Sequence, residues 1–297
     1  APGEIAQLSR IAQPTACIIV NVAPVHLETM GSLDNIVKAK CEVLDYTRDF
    51  AVINGDLPEL SRVEFPRGEL YRFGRGRDCD WRVLSCRYQP PFTRFQLDIM
   101  YRRFVVNLPF PATHLYGSVA AAAGTAMLLG VEPGEIAERL AHFEPSAGRL
   151  NIKTGPEGAV FIDDTYNANP LSMMAALQVL CDLAGNRRKI AVLGDMFELG
   201  SYEQEGHRLV GEKAAALGVD ILLTIGERAK HIAQGARESG FEGILIHFDR
   251  KAGAIEYLQG EIRSDDVVLF KASRGMHLEE IVNKLLPGNE PPALEED

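Results

Sequence analysis

Several features that would assign a sequence to a particular class are scarce here. The cysteines are odd in number and show no C-x-x-C spacing, which argues against a disulfide framework and against a zinc site; they are Cys17, Cys41, Cys79, Cys86 and Cys181. The longest apolar run, SVAAAAGTAMLLG, is too short and too rich in alanine to span a bilayer, and no stretch resembles a signal peptide. We therefore expect a cytoplasmic protein that does not bind membranes.

Positive charge is scarce relative to negative charge. The chain has 31 Lys and Arg residues against 41 Asp and Glu residues, a formal net charge of -10. Affinity for nucleic acid depends on clustered Lys and Arg, so this balance disfavours nucleic-acid partners. A nucleotide needs only a local group of backbone N–H donors, one or two cations and a metal. Small molecules are therefore the expected partners, and we expect a monomer.

The length of 297 residues and the 46% hydrophobic composition suggest two domains. In the first part, TACIIVNV (15–22) and FAVIN (50–54) have the composition of strands, and SLDNIVKAKCEVLDY predicts a helix with Ser32 as its N-cap. Short alternating runs from about 69 to 107 predict antiparallel strands. Helices are predicted over roughly 113–130 and in EPGEIAERLAHF, which opens with a Pro-Gly start signal.

The stretch EPSAGR lacks apolar periodicity and contains Pro and Gly, so we place the boundary there and predict domains at 1–147 and 148–297. Beyond it, the strand-like runs AVFID, KIAVLGD, DILLTIG, GILIHF and DVVLFKA alternate with helical segments that start near 170, 202, 227, 250 and 276. This alternation predicts an α/β fold with a parallel sheet covered by helices. Ligands of such sheets bind beyond the carboxyl ends of the strands, where DDTYNANP, GDMFELG and KASRGM are placed.

Read in order, NVAPVHLETMGSLDNIVKAKCE, GRL, DDTYNANP, VLGDMFELG and LFKASRGM resemble the Mur ligase family over nearly the whole chain. The resemblance is strongest to the branch that joins D-Ala-D-Ala to UDP-MurNAc-tripeptide in peptidoglycan synthesis. It implies the later part of a P-loop-type central ATPase domain followed by a Rossmann-like C-terminal domain. It also implies that ATP phosphorylates the terminal carboxylate of the tripeptide, and that the dipeptide amine attacks the acyl phosphate.

One element of the family pattern is missing from the sequence. No G-x-x-x-x-G-K-[ST] motif and no Gly-Lys dipeptide occurs. In the family, this phosphate-binding loop and a metal-binding Glu lie upstream of the position that matches Ala1. We therefore interpret residues 1–147 as a partial ATPase domain, and expect the 297-residue chain alone to have little or no ligase activity, because that loop makes most phosphate contacts.

The resemblance implies a magnesium site that involves His26 and Lys40. His26 follows a strand and offers a neutral imidazole nitrogen, although a lone His is more often structural and Mg²⁺ prefers oxygen ligands. Lys40 matches the lysine that the family carbamylates, and a carbamate replaces the ammonium by an anionic oxygen pair. The alternative is that Lys38 and Lys40 are solvated helix charges. Asn21, in the same stretch as His26, is assigned to cofactor binding.

The adenine and γ-phosphate of ATP have separate candidate residues. The family pattern G-x-H-N-x-x-N corresponds to PATHLYGS, which retains His114 but has Leu115 and Ser118 in place of asparagines. Ser118 can still donate one hydrogen bond, and His114 has the alternative role of capping the helix start. Arg149, in GRL, is assigned to the γ-phosphate, where a guanidinium offsets developing charge; the alternative is an exposed linker arginine.

In DDTYNANP, the resemblance assigns Asp164 to the ribose, because a carboxylate accepts hydrogen bonds from two vicinal hydroxyls. Asn167 is assigned to cofactor binding and Asn169 to substrate binding, while Pro170 starts the following helix at a position that needs no N–H. The alternative is an Asx turn with an N-cap.

Charged residues at two neighbouring strand ends suit a zwitterionic dipeptide. Carboxylates would receive its ammonium group and cations its carboxylate, unless the same groups pair with each other; the candidates are Asp195, Glu198, Lys271, Ser273 and Arg274. His207, in a predicted helix, is interpreted as structural.

Two other functions are compatible with the sequence. Folylpolyglutamate synthases use similar ATPase and C-terminal domains, although the strings YNANP and DMFELG weigh against them. The chain could instead be a non-catalytic binding fragment that uses only its Rossmann-like domain.

Overall fold

The computed structural model describes residues 2–23 and 30–286. The chain divides into two units, Ala1–Glu144 and Pro145–Asp297, which we call the N-terminal and C-terminal units. Each unit is built on one six-stranded sheet. The prediction for His26 lies outside the described residues.

Strands of the N-terminal unit lie side by side in chain order. They are β1 (Ala16–Ile19), β2 (Phe50–Asn54), β3 (Glu69–Gly74), β4 (Trp81–Gln89), β5 (Phe92–Ile99) and β6 (Arg102–Leu108). The helices are α1 (Glu4–Ala12), α2 (Leu33–Cys41), α3 (Tyr116–Leu128) and α4 (Pro133–Ala141). Ser32 is the N-cap of α2, as predicted, since its Oγ accepts a hydrogen bond from Asn35 N at 3.2 Å.

The prediction of antiparallel pairing over residues 69–107 is correct for β4 to β6 and wrong for β3. β3 runs parallel to β2 along five residue pairs, and parallel to the first two residues of β4. Parallel neighbours need a long connection, and residues 55–68 supply it between β2 and β3. The period of hydrophobicity reports which face of a strand is buried, not the direction of its neighbour.

Helix α3 packs closely on the sheet at Trp81. A Cβ atom built on Gly124 would lie 2.1 Å from ring atoms of Trp81, so only glycine fits at this contact. The small residues of α3 are buried there with Phe73 of β3 and with Phe95 and Leu97 of β5. This packing positions the start of α3, where Ser118 lies in the first turn of the helix and His114 in the 3₁₀ turn just before it.

In the C-terminal unit the strand order is β11-β10-β9-β12-β8-β7. The strands are β7 (Asn151–Thr154), β8 (Val160–Asp163), β9 (Lys189–Gly194), β10 (Ile221–Ile225), β11 (Ile244–Phe248) and β12 (Val267–Lys271). All pair in parallel except β7, an antiparallel edge strand that the sequence did not predict. Lys153 of β7 forms an ion pair with Asp163 of β8 at 2.7 Å.

The helices of this unit start within three residues of the predicted positions. They are α5 (Pro170–Ala184), α6 (Glu203–Ala216), α7 (Lys230–Glu238), α8 (Lys251–Glu261) and α9 (Glu279–Leu285). Each face of the sheet has its own buried apolar cluster, so β10 and β12 are buried along their whole length. Because β12 lies between β8 and β9, the loops that follow these three strands meet at one edge.

Candidate functional site

Ser273 joins the loops that follow β8, β9 and β12. Its backbone N–H donates to Asp195 O at 2.9 Å, and its Oγ accepts from Phe197 N at 2.9 Å. The same Oγ donates to Ala168 O at 3.4 Å. One buried hydroxyl therefore fixes the two neighbouring loops relative to its own, as the shared sheet edge predicts.

Lys271, the last residue of β12, makes a buried ion pair with Asp164. Its Nζ lies 2.5 Å from Asp164 Oδ2 and 2.9 Å from Asn167 O. Burial raises the pKa of Asp164 and lowers the pKa of Lys271, and each charge partly offsets the shift of the other. The other carboxylate oxygen of Asp164 accepts from Leu150 N at 3.2 Å, so Asp164 also holds the strand-entry segment of β7.

Asp163 and Asp164 have different roles because successive strand residues point to opposite faces. Asp163 Oδ1 accepts from Thr165 Oγ1 at 2.7 Å, and its Oδ2 contacts Lys153 Nζ at 2.7 Å. Asp163 therefore stabilises the strand end and the edge strand, which leaves Asp164 as the carboxylate beside Lys271.

Asp195 caps the loop that follows β10. Its Oδ1 accepts from Arg228 N at 3.0 Å and from Ala229 N at 2.7 Å. A Cβ on Gly226, where φ is +107°, would lie 2.5 Å from this carboxylate. Burial raises the pKa of Asp195, while the backbone donors and Arg228 lower it. Asp195 therefore has Oδ1 committed to the fold, and its Oδ2 lies 3.9 Å from Arg228 Nη1.

His207 supports the same loop from α6, in the structural role that we predicted. Its Nε2 accepts from Met196 N at 3.0 Å, and its Nδ1 lies 2.7 Å from Glu203 O, to which it donates. These two bonds require the neutral ring with the proton on Nδ1. Burial lowers the pKa of His207, which keeps the ring in that neutral form.

Tyr166 lies beside two candidate arginines. The Cζ atom of Arg149 lies 4.3 Å from the centroid of its ring, and the Cζ atom of Arg274 lies 6.0 Å from it. Arg274 also forms an ion pair with Glu279 at 2.9 Å. Within the part of the chain that the structure describes, Arg149 has no ion-pair partner, so its charge is available to a ligand.

The three remaining candidate residues of this unit differ in exposure and in their hydrogen bonds. Asn169 is the N-cap of α5, with its Oδ1 accepting from Ser172 N at 2.9 Å, as in the capping alternative. Asn167 is exposed, and its Oδ1 accepts from Ala168 N at 2.8 Å. Glu198 is exposed, with a positive φ of 63°.

In the N-terminal unit, Asn54 connects the segment that follows β1 to the start of α3. Its Nδ2 donates to Val20 O at 3.1 Å, and a Cβ on Gly117 would lie 3.9 Å from the same nitrogen. Asn21 and Ser118, the neighbours of these contacts, are both exposed. His114 lies in the short 3₁₀ turn before α3, and Lys40 is half-buried in the last turn of α2.

Asp56 caps a loop of the N-terminal unit as Asp195 does in the C-terminal unit. Its carboxylate accepts from Arg75 N, from Gly76 N and from the hydroxyl of Tyr116 at 2.9 to 3.0 Å. A Cβ on Gly74, where φ is +153°, would lie 2.5 Å from it. The guanidinium of Arg75 lies 4.2 Å from the Tyr116 ring centroid, next to the start of α3.

Sequence reasoning missed Tyr166, Arg228, Asn54, Asp56 and Arg75. A Tyr inside an otherwise polar strand-end loop was the available signal for the first of them. The others act through backbone groups of distant loops, which no local pattern reports.

Neither a metal site nor a membrane span is found in the described residues. Among residues 2–23 and 30–286, no three His, Cys, Asp or Glu side chains form a group that could hold a metal ion. Within the same residues, no helix has the length and apolar character needed to cross a membrane.

Comparison with protein families gives a match for each unit. Residues 1–126 match the Mur ligase middle domain, and residues 148–274 match the Mur ligase, glutamate ligase domain. Together with the parallel-dominated sheets, these matches show that the chain belongs to the Mur ligase family.

Within this family the chain is similar to UDP-N-acetylmuramoyl-tripeptide--D-alanyl-D-alanine ligase, MurF. It is 32% identical to the Bacillus subtilis protein over 288 residues, which are 96% of this chain and 62% of the relative. It is also 32% identical to the Escherichia coli protein, with 95% and 62% covered. The chain therefore spans about 62% of the length of these curated relatives.

Solved structures give the same result. MurF from Acinetobacter baumannii has a TM-score of 0.84 at 31% identity, with 96% of this chain and 62% of that chain covered. MurF from Thermotoga maritima, solved in complex with ADP, has a TM-score of 0.82 at 28% identity, with 96% and 64% covered.

Proposed function

We propose that this chain provides the catalytic middle and C-terminal domains of an ATP-dependent ligase that joins D-Ala-D-Ala to UDP-MurNAc-tripeptide. The observation that carries the proposal is the linkage of three strand-end loops by Ser273, at the sheet edge where ligands of α/β folds bind. The MurF relatives supply the substrate class. We keep a cytoplasmic monomer as the expected state.

The residues beside Tyr166 suit a nucleotide. Arg149 is exposed and has its charge available for a phosphate, Asp164 presents a carboxylate, and Asn167 presents an exposed amide. We assign Arg149 to the γ-phosphate, Asp164 to the ribose and Asn167 to the nucleotide. When bound, ATP supplies the phosphoryl group that activates the tripeptide carboxylate. Arg149 then stabilises the negative charge that develops during the transfer.

The contacts of Lys271 reduce the number of candidate residues for the dipeptide carboxylate. Its ammonium is buried and committed to Asp164 and Asn167 O, so we assign it to positioning Asp164. Arg274, which is 58% exposed at its side chain, is then the cation proposed for the dipeptide carboxylate. Glu198 and the second oxygen of Asp195 stay proposed for its ammonium, with Ser273 and Asn169 as the residues that fix the surrounding loops.

Among the described residues, no group of three His, Cys, Asp or Glu side chains could hold a magnesium ion. His26 and carbamylated Lys40 are the proposed magnesium ligands. In the N-terminal unit, Asn21, His114 and Ser118 stay proposed for ATP, with Ser118 as a single donor to the adenine.

Isothermal titration calorimetry with Mg-ATP and with D-Ala-D-Ala tests the binding part of this proposal. We expect Arg149→Gln to weaken Mg-ATP binding and Arg274→Gln to weaken dipeptide binding. Arg237→Gln is the matched control, because Arg237 is exposed at the end of α7, away from the strand ends. If neither Mg-ATP nor D-Ala-D-Ala gives a heat of binding, the interpretation as a non-catalytic fragment is favoured instead.

Ligation is tested in a fusion of this chain to the part of the Bacillus subtilis relative that it does not match. We expect ATP-dependent formation of the ligated product, lost in the Arg149→Gln fusion and retained in the Arg237→Gln fusion. A folded fusion that binds both ligands but forms no product would contradict the proposal. For the 297-residue chain alone we expect little or no ligation, since its sequence contains no phosphate-binding loop motif.

A further inference from the structure

Tyr166 is the one residue within the described part of the C-terminal unit whose ring lies near two arginine guanidinium groups. It is one of the exposed large hydrophobic side chains, with 47% of its surface accessible to solvent. The distances of 4.3 Å and 6.0 Å from the ring centroid to the Cζ atoms of Arg149 and Arg274 are within the range of cation–π attraction.

Each arginine is also held from a second side. Arg149 lies between Gly148 and Leu150, whose φ angles are +68° and +52°. Gly148 O accepts from Tyr166 N at 2.9 Å, and Leu150 N donates to Asp164, so the turn that carries Arg149 is bonded directly to the Tyr166 loop. A positive φ at a leucine costs conformational energy, which these contacts offset.

Arg274 is held by Glu279 at the start of α9. The ion pair at 2.9 Å restrains the guanidinium, while the Arg274 side chain stays 58% exposed. The two arginines thus approach one ring from segments that are 125 positions apart in the sequence, at 149 and 274. Two like charges repel each other, and the attraction of each guanidinium to the same ring offsets part of that repulsion.

We propose that Tyr166 is a positioning residue that holds Arg149 and Arg274 at a fixed spacing, so that one binds a phosphate group and the other a carboxylate. The proposal rests on the proposed function, which supplies a nucleotide and a dipeptide as the two anionic ligands. Tyr166 contacts neither ligand in this role. It acts through the two guanidinium groups, and its hydroxyl is not required.

The ring position is tested first, by NMR of the purified chain without ligands. We expect the side-chain Hδ and Hε resonances of Arg149 and Arg274 to be shifted upfield by the Tyr166 ring current. The shifts should persist in Tyr166→Phe and disappear in Tyr166→Leu. Wild-type resonances at ordinary random-coil positions would overturn the proposal whether or not any ligand binds.

The functional role is tested by calorimetry with Mg-ATP and D-Ala-D-Ala. We expect Tyr166→Leu to weaken the binding of each ligand by about 2- to 5-fold, the range for one exposed cation–π contact, and Tyr166→Phe to bind as wild type does. In the Arg149→Gln background, Tyr166→Leu should no longer affect Mg-ATP binding, although it should still affect the dipeptide. The reverse pattern is expected in the Arg274→Gln background.

The outcomes separate this inference from the proposed function. Equal binding by wild type and Tyr166→Leu, or additive effects in both arginine backgrounds, would contradict the positioning role while leaving the ligase function intact. Ring-current shifts in a wild-type chain that binds neither ligand would contradict the proposed function and support the arrangement of the ring and the arginines. An unchanged thermal unfolding midpoint in Tyr166→Leu excludes a general loss of structure.

Discussion

The ammonium of Lys271 and the carboxylate of Asp164 meet at 2.5 Å although the residues are 107 positions apart in the sequence. The two side chains are buried, with Lys271 only 3% exposed and Asp164 9%. Removing water from two charges is costly, and the cost is recovered only while both partners are present. The pair therefore makes the position of Asp164 depend on the last residue of β12.

Lys271→Met should strongly destabilise the C-terminal unit, because it leaves the Asp164 carboxylate buried without its partner. The expected loss is about 3–5 kcal/mol, measured as the opening free energy of β8 and β12 amides in native-state hydrogen exchange. The double variant Asp164→Leu with Lys271→Met should lose less than the two single variants combined.

Glu238→Gln is the control for this prediction. It removes an exposed ion pair of the same unit, Arg208–Glu238 at 2.6 Å, and should cost less than about 1 kcal/mol. If Lys271→Met and Glu238→Gln lower the opening free energy by similar amounts, burial does not determine the cost of breaking the Lys271–Asp164 pair.

Ser273→Ala should loosen the loop that follows β9. The substitution leaves the partly buried Phe197 N–H without its acceptor, at a cost of about 1–3 kcal/mol. We expect faster amide exchange at Phe197 and weaker binding of D-Ala-D-Ala. Ser239→Ala, at the exposed end of α7, should leave both measurements unchanged. Normal exchange at Phe197 in Ser273→Ala would contradict the role of the hydroxyl.

His207 should make the C-terminal unit less stable in mild acid. Its folded-state pKa lies below the ordinary value of 6.5, so the unfolded chain takes up the proton first as the pH falls. Stability is then lost as the pH drops through about 6.5, by up to about 1.4 kcal/mol per pH unit until the folded-state pKa is reached.

The measurement compares the free energy of unfolding of wild type and His207→Gln from pH 7.5 to 5.5. The raised pKa values of Asp164 and Asp195 act in the opposite direction. A carboxyl group whose pKa is higher in the folded chain than in the unfolded chain stabilises the folded state as the pH falls. These carboxyls are present in both proteins, so the difference between the two curves reports His207 together with its effect on Asp195. Parallel curves would contradict the prediction.

Gly124→Ala should destabilise the N-terminal unit although alanine is the better helix former. The new Cβ would lie 2.1 Å from the Trp81 ring, and such overpacking costs about 1–3 kcal/mol. Trp81 is the only tryptophan of the chain, so its fluorescence reports the unfolding of this core. Gly134→Ala, in α4 with open space around the added atom, should be neutral or stabilising by up to about 1 kcal/mol.

The sequence predicted those features that depend on local pattern. Alternating strands and helices after residue 150 predicted the parallel C-terminal sheet, because buried parallel strands are continuous apolar runs. The caps at Ser32 and the proline start of α5 followed from residue type alone. The edge strand β7 was missed, since NIKT is short and only partly apolar.

Contacts between residues that are distant in the chain could not be predicted from the sequence. The strand–helix alternation placed Asp164 and Lys271 at the same sheet edge. The resemblance assigned Asp164 to the ribose and the charge pattern assigned Lys271 to the dipeptide, whereas their side chains contact each other. Tyr166 could not be related to Arg149 and Arg274, because its ring position depends on two loops from opposite ends of the unit. Parallel pairing of β3 was likewise invisible in its own residues.

Both sheets place an Asp carboxylate where the Cβ of a neighbouring loop glycine would be, Asp56 above Gly74 and Asp195 above Gly226. In each pair the carboxylate occupies the space and the glycine supplies the backbone angle, so neither position can change independently. A larger residue at the glycine would displace the carboxylate, and loss of the carboxylate would release two backbone N–H groups. Each of these loops therefore tolerates a larger residue at its glycine only if the aspartate changes with it.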